Sequence, residues 1–407
     1  MLNKIWLGFF LTAFVAACWQ WASGSNPEVF SQLMSAAFEM SSLTVEIAIG
    51  LIGLMALWLG LFRVAELSGL NDKLSRGLAP LFQRLMPEVP RNHPAIGAVT
   101  MNLAANMLGL DNAATPMGLK AMASLQELNP HKEVASNAQI LFLVLNTSSV
   151  TLLPVTIFLF RAQQGAEQPA AVFLPILLAT SASTLTGLLA VAWLQKLRLD
   201  RVVLAYLAGF AALMAGVLFW VGSQSPDLLA ARSAALGNFL LFSVIILFLV
   251  AGIRRKLDCY AEFIDGARQG FEVAIRLIPF LLAMLVAIGV FRASGCLDLL
   301  LVALRSLFGS LGIDTAFVDA LPTAFMKPLS GSGARAMMLE TMNTYGVDSF
   351  AARTAAAIQG STETTFYTLA VYFGAVGIRH ARHAVACGLL ADFAGITVAI
   401  LASYWFF

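Results

Sequence analysis

Two polar strings sit inside very apolar surroundings. The first runs Asn102-Leu-Ala-Ala-Asn106 and on to Asp111-Asn-Ala-Ala-Thr-Pro116; the second is Lys327-Pro-Leu-Ser-Gly-Ser-Gly-Ala-Arg335. Asn102 and Asn106 are one helical turn apart, so their amides share a face. Gly109 suits a turn before Asp111 and Asn112, and Pro116 suits the start of a new helix through Lys120. The N-terminus of such a half-helix carries a positive dipole end, and with Asn112 and Thr115 it could hold a polar, uncharged or anionic solute. In the second string Pro328 and Gly331-Ser-Gly333 predict a flexible turn. Ser330 and Ser332 offer hydroxyls, and Lys327 and Arg335 offer charge, for which Glu340 and Glu363 are candidate partners. Each string has a second reading, in which its groups satisfy one another inside a buried hairpin.

Two further polar centres interrupt apolar runs. One is Asn146-Thr147-Ser148, followed by Pro154; the other is Gln359-Gly-Ser361-Thr362-Glu363. Asp392 lies in the last apolar run. A carboxylate inside a membrane is functional by default, so Glu363 and Asp392 are the candidate ion- or proton-coupling groups, with an ion pair to Arg335 as the structural alternative for Glu363. The hydroxyl cluster from Thr180 to Thr184 holds the matching place in the first half. Glu46 and Glu272 are expected at span ends, stabilising helix N-termini.

Enzyme chemistry finds no support. The Gly-Ser-Gly turn has no base near it in sequence, and the phosphate-loop pattern is absent. The four cysteines form no Cys-x-x-Cys pair, so neither a zinc site nor a disulfide framework is suggested. His380 and His383, flanked by Arg379 and Arg382, read as a cytoplasmic positive cap. The expectation is therefore a non-enzyme without cofactor or metal, and its few acids and lack of His or Cys ligands favour a small polar organic solute.

These residues need elements to hold them. Of 407 residues 59% are hydrophobic and 12% charged, and mean hydropathy is +0.81, against about 25% charged in a soluble domain. The chain is expected to be an all-α polytopic membrane protein of about 9–11 transmembrane helices. Candidate spans are roughly 5–21, 44–66, 137–160, 171–195, 202–221, 234–252, 272–293, 350–372 and 384–405, with the polar breaks in the less regular stretches 78–130 and 305–345. In lipid, broken backbone survives only where protein buries it or where it lines a wet cavity, so each break predicts a re-entrant or interrupted helix. Segment 254–271 reads as an amphipathic surface linker. Positive charges at Lys196, Arg198 and Arg201, at 254–256 and at 379–382 place those loops, and with Lys4 the N-terminus, in the cytoplasm of a bacterial plasma (inner) membrane. The run from Ile5 to Trp21 reads as a retained span. Beyond the lipid bilayer and the solute, a second copy of the chain is an open possibility as partner; nucleic acid is not expected.

The chain also repeats itself. Glu46-Ile-Ala-Ile and Glu272-Val-Ala-Ile each open a long apolar run, and each is followed after 23 residues by the glycine of a Ser-Gly pair and after 26 by an aspartate. Met117–Met122 then parallels Met337–Met342, and Asn146–Thr151 parallels Gly360–Thr365. An ordered series of polar landmarks points to duplication. Five spans begin from Glu46 to just before Glu272, so the repeats are expected to be inverted, with a site at their interface. The domains expected are an N-terminal helix and external segment (1–43), a first repeat (44–195), connecting spans with a linker (196–271) and a second repeat (272–407).

MNLAANMLGLDNAATPMGLKAM, with EIAIGLIGLMALWLG before it, resembles the spore maturation A family; KPLSGSGARAMMLETM, with QGSTETTFYTLAVYFGAVGIR after it, resembles the spore maturation B family. The resemblance covers roughly 1–195 and 230–407. It implies a fusion of two nucleoside-recognition, or gate, domains, a group that includes the membrane gates of ferrous-iron and concentrative nucleoside transporters. It implies no nucleoside substrate, and no G domain is present to imply nucleotide-driven iron transport. The function implied is a transporter or channel-like gate; the competing expectation is a membrane scaffold in spore or envelope physiology.

Overall fold

In a computed structural model the described residues are 2–90, 93–107, 111–148, 151–197, 200–224 and 226–407; the side chains of residues 2, 71, 111–113, 226–227, 273–274 and 276–277 lie outside the description. Gly109 and Arg198, and the side chains of Asp111 and Asn112, therefore fall outside it.

In an apolar medium each amide must bond within its own segment, which makes the helix the solution for an open chain. The described residues form helices and turns, with one isolated bridge between Val134 and His380. The first half comprises α1 (Leu2–Ala22), α2 (Val29–Leu67), α3 (Leu70–Leu85), α4 (Pro94–Met107), α5 (Asp111–Leu128), α6 (Asn137–Ser148), α7 (Val155–Gln163) and α8 (Phe173–Leu194). Then comes α9 (Arg201–Gly222). The second half comprises α10 (Pro226–Arg254), α11 (Cys259–Ala293), α12 (Cys296–Ser310), α13 (Leu321–Met326), α14 (Gly331–Tyr345), α15 (Phe350–Ser361), α16 (Thr365–Ala375) and α17 (Ala384–Phe406). Set side by side, α1–α8 and α10–α17 follow the same order of long, bent and broken helices, and α9 is the additional piece.

Six of these helices are long and apolar enough to cross a membrane: α1, α2, the helix ending in α8, and α9, α10 and α17. A seventh span is added when α11 and α12, bent by 70° between Ala293 and Cys296, count as one broken crossing. The pairs α6–α7 and α15–α16 are apolar helices interrupted at their polar centres. The protein is thus a multi-pass, all-helical membrane protein.

The halves run in opposite directions. A Cβ on Gly266 of α11 would lie 2.6 Å from the Leu59 carbonyl of α2, one on Gly270 2.5 Å from the Ala56 Cα, and one on Gly289 2.4 Å from Met40. As α11 advances, its neighbours on α2 recede, so these equivalent helices are antiparallel. The same holds where α8 meets α17: Gly187 faces Ala391 and Gly395 faces Ser183. Small residues at both crossings let backbones approach within van der Waals range, the main attraction between helices in lipid. The expected inversion is what this packing shows.

The Ser-Gly landmarks make the bends. Gly69 and Gly295 adopt φ of +71° and +76°, left-handed values that cost least at glycine, and each turns the chain into the next amphipathic helix.

Several expected boundaries are corrected. α2 begins at Val29 and α11 at Cys259, so Glu46 and Glu272 are helix-interior residues rather than N-terminal ones. Segment 259–271 is not a separate surface linker. It is the first part of α11 and packs on α2 through Gly60 and Phe263, with Arg63 3.6 Å from Glu262 and 3.7 Å from Asp265. Pro116 lies inside α5, which starts at Asp111. The expected turn at Gly331–Gly333 is the first turn of α14, capped by Ser330, whose Oγ accepts the Gly333 N–H at 3.0 Å.

Candidate functional site

The interrupted helices meet at the centre of the molecule. α6 ends at Ser148 and α7 starts at Val155; α15 ends at Ser361 and α16 starts at Thr365. A helix that stops in an apolar interior leaves carbonyls and amides to be satisfied by other groups. Here each break helps to satisfy the other: the Glu363 N–H donates to the Thr147 carbonyl at 2.7 Å. The long helices α8 and α17 serve the remainder. Thr184 donates to the Ser148 carbonyl at 3.1 Å, and the Thr151 N–H donates to the Thr180 hydroxyl at 3.3 Å. On the other side Thr365 donates to the Asp392 carboxylate at 2.6 Å. Thr151 and Thr365 are matching positions of the repeat, so Asp392 stands where the first half has Thr180. The buried carboxylate, 1% exposed, is one asymmetric element of a two-fold arrangement.

A second contact layer links these breaks to the two hairpins. Asn106 Nδ2 donates to Asn146 Oδ1 at 2.9 Å, while Asn146 Nδ2 holds the Phe142 carbonyl at 2.9 Å. The Phe366 N–H donates to the Pro328 carbonyl at 3.0 Å. A crevice of about 100 Å³ opens among them, lined by Asn106 and Thr151 from the first repeat and by Lys327, Arg335, Gln359 and Glu363 from the second. Lys327 is 2% exposed and Gln359 6%; Glu363 lies exposed at the rim. The Arg335 guanidinium stacks 5.3 Å from the Phe160 ring of α7, so it too joins one repeat to the other.

Of the predicted residues, Asn106, Arg335, Gln359, Thr362 and Glu363 line the crevice. Asn146, Thr147, Ser148, Ser361 and Asp392 are buried immediately around it. Asn102 is buried and braces the first hairpin by donating to the Ala114 carbonyl at 2.7 Å. Thr115 is exposed on α5. Ser330 and Ser332 lie 3.2 Å apart, oxygen to oxygen, at the start of α14. Glu340 is not the partner of Arg335: Arg292 of α11 holds it at 2.9 Å. Among the described residues no group of three His, Cys, Asp or Glu could hold a metal ion.

Two anchors went unnoticed in the sequence. Arg161, at the end of α7, is fully buried. It donates to Asp348 at 2.8 Å, to the Val347 carbonyl at 3.0 Å and to the Pro169 carbonyl at 3.1 Å. It thereby pins a first-repeat helix to a second-repeat loop. Burial pushes the Asp348 carboxyl up, but the Glu167 amide and the Arg161 and Arg353 guanidiniums outweigh it and hold it below the usual carboxylate range. At the equivalent end of α16, the Arg379 and His380 N–H groups donate to the Glu133 carbonyl at 2.9 and 3.0 Å. His380 thus belongs to a backbone bridge between the repeats. Lone charges beside apolar runs gave no signal of either role.

Two inverted repeats whose broken helices interlock in an apolar interior are the architecture of this multi-pass membrane protein. The chain belongs to the Gate, or nucleoside recognition, family, whose model matches residues 48–163 and 274–379, more than half of its length. It is 43% identical over 153 residues to spore maturation protein B of Bacillus subtilis (strain 168), a match spanning 38% of this chain and 84% of that protein. It is 38% identical over 180 residues to spore maturation protein A of the same organism, spanning 44% of this chain and 88% of that protein. The two matches are consistent with a fusion. No solved structure matches the chain significantly.

Proposed function

We infer that the protein is a transporter or channel-like gate that moves a small polar solute between the two repeats, without enzymatic chemistry or a cofactor. One observation carries this: unwound segments of both repeats touch each other and line one polar crevice. Broken helices at an inverted-repeat interface are where membrane transporters hold their solutes. Asn106, Asn146, Gln359 and Thr362 would bind polar groups, and Glu363 and Asp392 would couple an ion or proton. The plasma membrane, with the N-terminus in the cytoplasm, is the location that the positive loops favour. The relatives' names place them in spore maturation, and the same process is the setting proposed for this chain.

A thermal-shift screen of the purified full chain against nucleosides, amino acids, dicarboxylates and divalent metals tests the reading. A ligand at 100 times its dissociation constant stabilises the folded state by about 2.7 kcal/mol. A selective hit that disappears in Asn106→Ala is expected; a flat response to every class would favour a scaffold.

A further inference from the structure

We propose that the first repeat holds an anionic phospholipid, with its headgroup on the basic side of α3 and one acyl chain in the groove beneath. The ends of α3 place that helix on the membrane surface. A Cβ on Gly69, just before α3, would lie 3.2 Å from the Arg255 guanidinium, and Arg84 at the other end lies 3.1 Å from Asp200. The loops at 254–256 and 196–201 are both rich in cations, and the positive-inside rule puts both on the cytoplasmic side. A helix of 16 residues, about 24 Å long, that joins two points on one side runs along the surface rather than across the bilayer. Its sides divide accordingly. Lys73, Arg76 and Arg84 are exposed, whereas Leu74, Leu78, Phe82 and Leu85 are wholly or partly buried. An amphipathic helix with cations on its polar side lies in the interface and attracts anionic lipid.

Below the apolar side of α3 lies a groove of about 310 Å³, walled by Leu78, Leu81 and Leu85 of α3, Leu188 of α8, and Phe210 and Leu213 of α9. Asn106, Thr184 and Tyr206 are the polar side chains in its described lining, and each donates inside the protein: to Asn146 at 2.9 Å, to the Ser148 carbonyl at 3.1 Å and to the Gly77 carbonyl at 2.6 Å. An apolar space whose donors are engaged takes an apolar occupant. α9 borders it at the periphery of the molecule, with Leu204, Leu213 and Phe219 exposed. The depth suits one leaflet. Leu213 is 12 residues past Arg201, about 18 Å along the helix, and half of a hydrocarbon core is about 15 Å. The volume holds about ten water-sized groups at about 30 Å³ each, room for most of one acyl chain. Asn106 borders both this groove and the polar crevice, so the chain end abuts the first hairpin.

Charge complementarity names the headgroup. On α3 three cations, Lys73, Arg76 and Arg84, stand with one acid, Asp72. The adjoining loop adds Lys196 and Arg201 against Asp200, and Glu88 follows α3, held by Asn137 at 2.8 Å. Asp200 engages Arg84. Arg76 donates Nε to the Asp72 carbonyl at 3.3 Å and is exposed, with Lys73 exposed one turn before it. Arg76 also adjoins Gly77, where Tyr206 of the groove wall is fastened. Helix ends do not alter the sign, since the negative end of α3 meets the positive end of α9 and the two offset. The second repeat supplies the contrast. Its matching groove, lined by Phe308, Phe325, Phe393 and Leu401, has no such edge: the charged residues of α12 are Asp298 and Arg305, and Asp319 holds Arg305. The basic edge belongs to the first repeat alone, and so to one leaflet.

The test follows the melting temperature of the full chain in neutral detergent as dioleoylphosphatidylglycerol, dioleoylphosphatidylcholine or glycerol phosphate is added. The anionic lipid raises it at lower concentration than the zwitterionic one, and glycerol phosphate, a headgroup without chains, does not raise it. Arg76→Gln and Lys73→Gln each weaken the anionic lipid about fivefold. Leu213→Trp fills the groove from a position that is 59% exposed, so the lipid-free chain melts as wild type while the lipid effect is lost; should the lipid-free chain melt lower, Leu81→Phe fills the groove from α3 instead. Equal effects of the two lipids, or an effect of glycerol phosphate alone, overturn the proposal. So does an anionic-lipid effect that survives the groove-filling variant or is indifferent to Arg76→Gln. The site is independent of the transport reading, since neither Arg76 nor Leu213 lines the crevice between the repeats.

Discussion

Asp392 and Thr180 show how single residues break a two-fold design. Both accept a hydrogen bond from the threonine that follows a helix break, but only one of them can carry charge. Asp392 accepts from the Thr365 side-chain hydroxyl, whereas Thr180 accepts from the Thr151 backbone N–H, and the proposed function gives the carboxylate the ion- or proton-coupling role. Its importance was visible in the sequence because an acid in an apolar run is conspicuous. Its pairing with Thr365 was not, since that needs α16 and α17 brought together. His383 offers a measurable case at the same scale. Gln195 Nε2 lies 3.2 Å from His383 Nε2 and also donates to the Asn137 carbonyl. An amide nitrogen only donates, so the imidazole accepts in its neutral form. Burial pushes its pKa down from 6.5, and Arg382 adds to the effect. Between the lowered folded value and 6.5 the unfolded chain binds more protons, so stability rises with pH there. The contribution is complete above 6.5 and is lost as pH falls through the folded value. The gap between the melting temperatures of wild type and His383→Asn should therefore narrow as pH falls below 6.5. A gap that widens on acidification would show that the imidazole is not held neutral.

At the scale of elements, α2 and α11 are the spine. They run 39 and 35 residues, or about 58 and 52 Å at 1.5 Å per residue, well beyond a hydrocarbon core of about 30 Å. Both are longer than one perpendicular crossing needs, and α11 carries the charged stretch that reads as a linker. Composition alone suggested a break at that stretch; packing on Arg63 and Gly60 overrides it. The Ser-Gly bends, in contrast, were legible, because a glycine where two runs end at the same spacing marks a left-handed turn. The polar breaks at Asn146–Ser148 and at Gln359–Glu363 were legible for a similar reason: apolar helices do not carry such strings without need. Gly266 tests the spine. Its Cβ would meet the backbone of Leu59 at 2.6 Å and of Gly60 at 2.9 Å, and backbone cannot move aside as a side chain can. Gly266→Val should cost about 3 kcal/mol or more, the upper end for overpacking, and lower the melting temperature of the purified chain. An unchanged melting temperature would mean that α2 and α11 do not cross there.

At the scale of the molecule, two copies of one plan face each other head to tail. The order of landmarks announced the duplication, and the parity of spans announced the inversion. Contact between the repeats was beyond reach of either, because it joins residues some 200 positions apart: Thr147 with Glu363, Arg161 with Asp348, Glu133 with His380. Each repeat anchors the outer end of the other's broken helix, so neither break is complete alone. The most direct test of this account is solute uptake by the reconstituted full chain in proteoliposomes, using radiolabelled nucleosides, amino acids and dicarboxylates. The measurement compares wild type with Asn106→Ala from the first repeat, Glu363→Gln from the second and the double variant. The account predicts that a solute carried by wild type is lost in either single variant, that both variants still insert, and that the double variant is no worse. Wild-type uptake in both single variants would contradict a shared path between the repeats.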